Sequence, residues 1–446
     1  MRTVDEHRRV VAGLITAKPA VTLPLPETLG LVLAADVIAP LSLPGFDNSA
    51  MDGYAVVADD IAAATPEQPV LLPVAEDIPA GRTDPLILKP GTAHRIMTGA
   101  PVPTGATAVV PVEATDGATD TVSIQATAKA GQHIRRAGED VTAGTAVLRA
   151  GQVLTPAALG LAAALGLGEL KVVPRQRVLV MSTGSELVAP GTPLQPGQIY
   201  ESNAVMLAAA VRDAGAQVVA APMTGDDVAT FRDALSHHAG DADLIITTGG
   251  VSAGAYEVVK DALAGGPAAS GVGAGGPATS DVGAGGPATS DVGAGRPATS
   301  DVGAGRPATS DKSGEVDFVK VAMQPGMPQG AGFVNGTPII TLPGNPVSSL
   351  VSFEVFVRAP LRTAMGLPNP DRPRRTAVLA EDLTSPRGKR QFRRGVLDRD
   401  AGTVTSYGPP ASHHLRWLAS ANCLLEIDED VAEVTAGSPV QVWDLT

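Results

Sequence analysis

The chain has 446 residues, 44% of them apolar but only 3% aromatic, so several compact units packed mainly with Val, Leu, Ile and Ala are expected. A net charge of −13 argues against non-specific nucleic-acid binding. The single cysteine, Cys423, excludes a disulfide framework and a thiolate-clustered zinc site, and fits a reducing, cytoplasmic setting.

The opening MRTVDEHRRVVAGL mixes charges and lacks the apolar centre of a signal peptide. Helical spacing from Val4 to Ile15 gives way to an extended run reaching Asp36. From Ser42 to about Asp140, short β-prone runs alternate with Pro and Gly, which reads as a β-rich unit. The most apolar stretch, Leu154 to Leu170, starts a helix at Thr155-Pro156 and stops it at Gly166 or Gly168. A membrane span needs roughly 20 predominantly apolar residues. An Ala- and Gly-rich helix that packs back on the N-terminal segment is expected instead.

The clearest signal follows. Arg177 to Met181, Gln217 to Ala221 and Leu244 to Thr247 read as strands, alternating with helices over Asn203 to Ala214 and Asp227 to His237. This alternation predicts βαβ units on a parallel sheet, with ligands at the carboxyl ends of its strands. Two polar turns fall there, Ser182 to Glu186 and Thr248 to Ser252. From Gly265 to about Asp311 a ten-residue unit repeats (GGPATSDVGA, the later copies starting GRP). Such composition buries too little apolar surface to offset chain entropy, so a disordered insertion is expected. Its cost is small, because each doubling of loop length adds only about 0.6 kcal/mol. A strand near Phe318, a strand over Ile339 to Leu342 and a helix from Val347 that ends before Pro360 come next. Short strands and turns complete a C-terminal β domain. The expected divisions are 1–41 with 143–175 (a discontinuous linker domain), 42–142 (β-rich), 176–362 (α/β, with 265–311 as the insertion) and 363–446 (β).

Several segments carry polar groups suited to chemistry. Phe46 to Ala55 (FDNSAMDGYA) places Asp52 before Gly53, where a plain turn would also suit it. Glycine-rich turns before helices, at Gly249-Gly250 and at Pro343-Gly344-Asn345-Pro346, present amides that suit phosphate, or are tight turns only. Asp226 equally suits an N-cap of the following helix, and Glu186 a solvated loop. Arg135-Arg136 and the cluster Lys389-Arg390 with Arg393-Arg394 are local cations in an acidic chain, or solvated faces.

Taken together, Arg95 to Pro103 (RIMTGAPVP), Ser182 to Leu187 (STGSEL), Gly249 to Ser252 (GGVS), Leu342 to Ser348 (LPGNPVS) and Ser412 to Asn422 (SHHLRWLASAN) resemble the molybdopterin molybdenumtransferase family, which includes the cofactor-forming part of gephyrin. The resemblance covers essentially the whole chain apart from the repeat. It implies a multidomain elongated subunit with a central parallel α/β domain, a β-rich insertion domain and a C-terminal β domain. It further implies a homodimer whose active site forms where one subunit's central domain meets the partner's β domain. The substrates would be adenylyl-molybdopterin and molybdate, with magnesium required, AMP released, and an upstream adenylyltransferase as a further partner.

By motif, the resemblance assigns catalytic roles to Asp52, Glu186, Asp226 and Glu257, the last three also as metal ligands. Converging carboxylates would raise one another's pKa unless a hard cation neutralised them. Substrate contacts fall to Thr98, Arg135, Asp140, Thr183, Gly184, Gly249, Gly250, Ser252, Pro343, Gly344, Asn345, Pro346 and Ser348. Four positions depart from the family pattern. Glu257 stands for aspartate, Ser185 for aspartate, and Gln324 and Met327 for the two lysines of a KPGKP run. Positive charge would then come from Arg393, Arg394 or Arg135, or else the chain would bind pterin without transferring metal. A gephyrin-like scaffold, with the repeat as an interaction arm, is the third reading.

Overall fold

The computed structural model describes residues 1–250, 258–264 and 316–446. The repeat at 265–311 lies outside the described residues, as do Ser252 and Glu257. The chain falls into two compact units: 1–16, 176–364 and 368–446 form the first, and 17–175 with 365–367 the second. Residues 1–16, grouped with 17–41 on sequence, therefore pack with the α/β portion instead. The reason is the apolar stripe of the helix Val4–Leu14, whose buried Val4, His7 and Val11 lie on one face. Its start is fixed by a capping box between Thr3 and Glu6.

The first unit is built on a seven-stranded sheet in the order Gln217–Ala220, Arg177–Thr183, Leu244–Thr248, Thr337–Leu342, Pro328–Val334, Val316–Lys320, with Met223–Thr224 beside the end of Arg177–Thr183. The strands up to Thr337–Leu342 run parallel, as expected. The last two are antiparallel and extend one side. Leu179, Met181, Ile245 and Ile339 share a core with Phe231 and Leu235 of the helix Val228–Ala239. Helices cover these strands, so they read as unbroken apolar runs without alternation.

The helix expected to end before Pro360 does not. The α-helix Pro346–Ser352 passes through a π turn, Phe353–Val357, into the α-helix Arg358–Ala364, with Pro360 inside. Proline has no amide hydrogen to close the preceding turn. The wider π turn accommodates this, and the Val355 carbonyl accepts instead from Arg8 Nε at 3.2 Å.

His7 is fully buried on this helix, edge-on to Phe356 at 4.7 Å, and neither ring nitrogen has a protein partner among the described residues. Burial, reinforced by the nearby Arg2 charge, pushes its pKa from 6.5 down to about 4. The unfolded chain therefore binds a proton that the folded chain refuses between these values. The stability this neutral histidine contributes is full above pH 6.5 and is lost as pH falls towards 4, by up to about 3 kcal/mol. We expect His7→Leu to flatten the fall in melting temperature over that window; an unchanged slope would show that His7 is not the titrating group.

The remainder of the first unit is a small closed β-barrel. Arg390–Asp398, Thr403–Ser406, Arg374–Leu379, Pro439–Asp444 and Cys423–Ile427 pair in sequence, and the last pairs back with the first. Met323–Gln324 adds to Arg390–Asp398. Leu379, Leu397, Val404, Leu425 and Val442 fill the barrel, and burial there pushes the Cys423 thiol up to about 12, which removes it as a nucleophile.

The second unit holds a five-stranded sheet in the order Ala108–Pro111, Gly53–Val56, Ala93–Ile96, Val70–Ile78, Thr121–Ile124. It also holds a three-stranded sheet of Val21–Pro24, Glu169–Val173 and Val32–Leu33, packed against the helix Pro156–Ala164. That helix starts at a Thr155 cap and gives way to Gly166 in the left-handed region, and its Ala158 and Ala162 share a core with Leu31 and Leu33 of the N-terminal segment. No helix among the described residues is long and apolar enough to cross a membrane.

Candidate active site

A cleft of about 1020 Å³ opens in the first unit at the carboxyl ends of the parallel strands. That is the upper end of ordinary ligand pockets, roughly 300–1,000 Å³. Its floor is two glycine turns. Gly249-Gly250 follows the strand Leu244–Thr248, and Pro343-Gly344-Asn345 follows the strand Thr337–Leu342. The turns are stitched together. Asn203 Nδ2 donates to the Gly344 carbonyl at 2.6 Å and to Thr248 Oγ1 at 3.1 Å, and Thr248 Oγ1 donates to the Pro343 carbonyl at 3.1 Å.

Only glycine fits at 249, with φ +93°. An added Cβ would lie 2.7 Å from the Thr183 carbonyl oxygen and 2.9 Å from its Oγ1. Gly249→Ala is therefore expected to cost about 2–3 kcal/mol in denaturant unfolding. A variant of unchanged stability would show that this turn is free to move.

The walls carry the carboxylates. Glu186 and Asp226 line the cleft and are exposed. Asp226 is not the helix N-cap; Asp227 is, accepting from Thr230 N at 2.7 Å. Asp226 instead forms a reciprocal clamp with Ser185. Ser185 N donates to Asp226 Oδ2 at 3.0 Å, and Asp226 N donates to Ser185 Oγ at 2.9 Å. One carboxylate oxygen of Asp226 is thus held by the protein and the other is left for a ligand. Ser182 and Thr183 belong to the cleft lining, but their hydroxyls are buried and have no protein hydrogen-bond partner among the described residues.

The cleft gathers Thr183, Gly184, Glu186, Asp226, Gly249, Gly250, Pro343, Gly344, Asn345, Pro346 and Ser348. Asp52, Thr98, Arg135 and Asp140 belong to the second unit. There Asp52 Oδ1 accepts from Thr98 N at 2.6 Å, a bond that holds the Asp52 carboxyl below its usual range. Gln324 and Met327 also line the cleft, and no lysine or arginine lines it among the described residues. Arg393 and Arg394 do not line this cleft but border a smaller pocket that shares Gln324, Pro325 and Pro410 with it. The Arg394 guanidinium is buried and spent on the carbonyls of Pro409, Ala411 and His414, of which Ala411 lies in the cleft wall. Arg393 reaches towards the Thr384 carbonyl.

Residues without a site role in the sequence reading also line this cleft. Ile199, Tyr200 and Asn203 do so, as do Ser412 and His413. Asn203 stood only as a helix start, although an asparagine beside Glu201-Ser202 at a strand-to-helix junction was a readable signal.

Family models match the chain along most of its length. The MoeA N-terminal region (domain I and II) matches residues 2–166, a probable molybdopterin binding domain matches 179–268, and the MoeA C-terminal region (domain IV) matches 376–445. Molybdopterin molybdenumtransferase 2 of Mycobacterium tuberculosis is 66% identical over 446 residues, covering all of both chains. The chain belongs to the molybdopterin molybdenumtransferase family. The molybdopterin molybdenumtransferase of Haemophilus influenzae is 32% identical, covering 99% of this chain and 98% of its own. A solved MoeA protein of molybdopterin biosynthesis from Pyrococcus horikoshii superposes with a TM-score of 0.71 at 25% identity, covering 100% and 99% of the two chains. The multidomain fold expected of this transferase family, with its central α/β domain, β-rich portion and C-terminal β domain, is the one observed.

Proposed function

We propose that the chain inserts molybdate into adenylyl-molybdopterin and releases AMP, acting as a cytoplasmic homodimer. The observation that carries this reading is the pair of stitched glycine turns at the carboxyl end of a parallel sheet, flanked by Glu186 and Asp226. Backbone amides at such turns suit phosphate. In the reaction the dithiolene sulfurs take the place of oxide on molybdenum, the oxide leaves as water, and water cleaves the phosphoanhydride to free AMP.

Magnesium fits the donor set. Among the described residues no group of three or more His, Cys, Asp or Glu could hold a metal unaided. Magnesium needs no such group, since it takes one or two carboxylates along with substrate phosphates and retained waters. Glu186 and the free oxygen of Asp226 would hold it, with Glu257 as a third candidate. Bound there, it would offset phosphate charge in a cleft whose described lining has no lysine or arginine. Ser185 holds Asp226 in place, and the two turns orient the phosphates. Asp52, Thr98, Arg135 and Asp140 are proposed to act from the second unit of the partner subunit.

A second reading, a carrier that holds the pterin without transferring metal, is favoured by Gln324 and Met327 in the cleft. One experiment separates the two: purified protein is mixed with adenylyl-molybdopterin, magnesium and molybdate, and AMP release is followed. Molybdate-dependent release supports the transferase. Tight pterin binding without release supports the carrier, and Gln324→Lys with Met327→Lys would then be expected to restore transfer.

A further inference from the structure

We propose that the ring of Tyr200 forms a platform on which the flat fused ring of the substrate stacks. This deepens the transferase reading and rests on it. The cleft is polar over its glycine turns and acidic walls, yet Ile199 and Tyr200 line it while 54% and 44% exposed. Tyr200 is the one Phe, Tyr or Trp in the cleft lining among the described residues.

The platform is held in place. Leu187-Val188 and Ile199-Tyr200 form a short parallel ladder, in which Ile199 N donates to the Glu186 carbonyl and Glu201 N to the Val188 carbonyl, each at 2.9 Å. Tyr200 Oη donates to the Thr192 carbonyl at 2.8 Å, which fixes the ring at its far end. A ring fixed this way loses little freedom when a ligand stacks on it.

Its position suits a ligand with a phosphate at one end. Asn203, three residues on, ties to the Gly344 turn, and three residues of chain span at most about 10 Å. Glu186 is bonded directly to Leu187. A fused heterocycle joined to phosphate by a sugar or a short side chain bridges this span. Both pterin and adenine have that form, and both present a π face to stack on.

The test uses the full-length protein and three probes: AMP, 6-hydroxymethylpterin, and ribose 5-phosphate as a ligand without a ring. Affinities are measured by calorimetry, with quenching of pterin fluorescence as the sign of stacking. Tyr200→Ser is expected to weaken AMP or the pterin by about tenfold to 100-fold, the range that ring stacking supplies. Ribose 5-phosphate should bind as before. Tyr200→Phe, which keeps the ring, should behave far more like the unmodified protein than like the serine variant.

A loss confined to AMP identifies the seat as the adenine's, and a loss confined to the pterin as the pterin's. Unchanged affinity for both, a parallel loss for ribose 5-phosphate, or no binding of either ring compound to the unmodified protein would overturn the platform. If molybdate transfer proceeds while the serine variant binds both rings normally, the platform falls and the transferase reading stands. If ring binding depends on Tyr200 but AMP is never released, the platform stands and the transferase reading falls.

Discussion

Glu354→Ala is expected to destabilise the first unit by about 3–5 kcal/mol, the cost of leaving buried charges without their partner. Glu354 lies in the π turn with its side chain 4% exposed. It binds Arg372 through two hydrogen bonds, Nε to Oε2 at 2.9 Å and Nη2 to Oε1 at 3.0 Å. Arg358 stands 3.9 Å away, and Asp213 joins both arginines at 2.6 and 2.8 Å. Alanine would strand two buried guanidiniums with only the half-exposed Asp213 between them. This network ties the end of the helix Asn203–Asp213 to the chain entering the barrel, which carries the 410–415 wall of the cleft. Urea unfolding reads the effect directly. A loss below about 1 kcal/mol would mean that solvent already screens the network.

Glu186→Ala and Asp226→Ala should behave in the opposite way. Turnover is expected to fall by roughly 100-fold or more, the size of effect seen when a group that organises transition-state charge is removed. Both side chains are exposed, so unfolding free energy should change by no more than about 0.5 kcal/mol for Glu186, and slightly more where the Ser185 clamp is lost. AMP release and thermal melting, measured on the same preparations, check this. Parallel losses in both would assign these acids a structural role.

The α/β unit was legible because its signals are local. Near-continuous apolar runs such as Arg177 to Met181 alternate with helices that bury residues at i and i+4, as Phe231 and Leu235 do. The glycine turns were legible for a similar reason, since they fall immediately after strands. What escaped the sequence depends on contacts between distant residues. Pro360 reads as a stop until Arg8, far away in the chain, takes the Val355 carbonyl. Asp226 and Asp227 are adjacent acids, and only the observed bonds show which caps the helix and which faces the cleft. Arg394 looks like a free cation until the barrel buries it among carbonyls. Ile199 and Tyr200 are two residues in a Pro- and Gly-rich loop, with no periodicity to mark them as cleft lining.

The first unit is stitched from chain ends, and this sets an order of events during synthesis. The apolar stripe of the helix Val4–Leu14 rests on Phe356, about 350 residues later, and at about 5–20 residues per second the ribosome needs roughly 20–70 s to deliver it. The barrel waits longer still, because Pro439–Asp444 pairs on both sides within it. Residues 17–175 emerge in one nearly unbroken stretch and can bury their own cores meanwhile. The nascent protein therefore carries a finished middle while its leading helix still presents an uncovered greasy face, the interval in which a chaperone would be expected to find it.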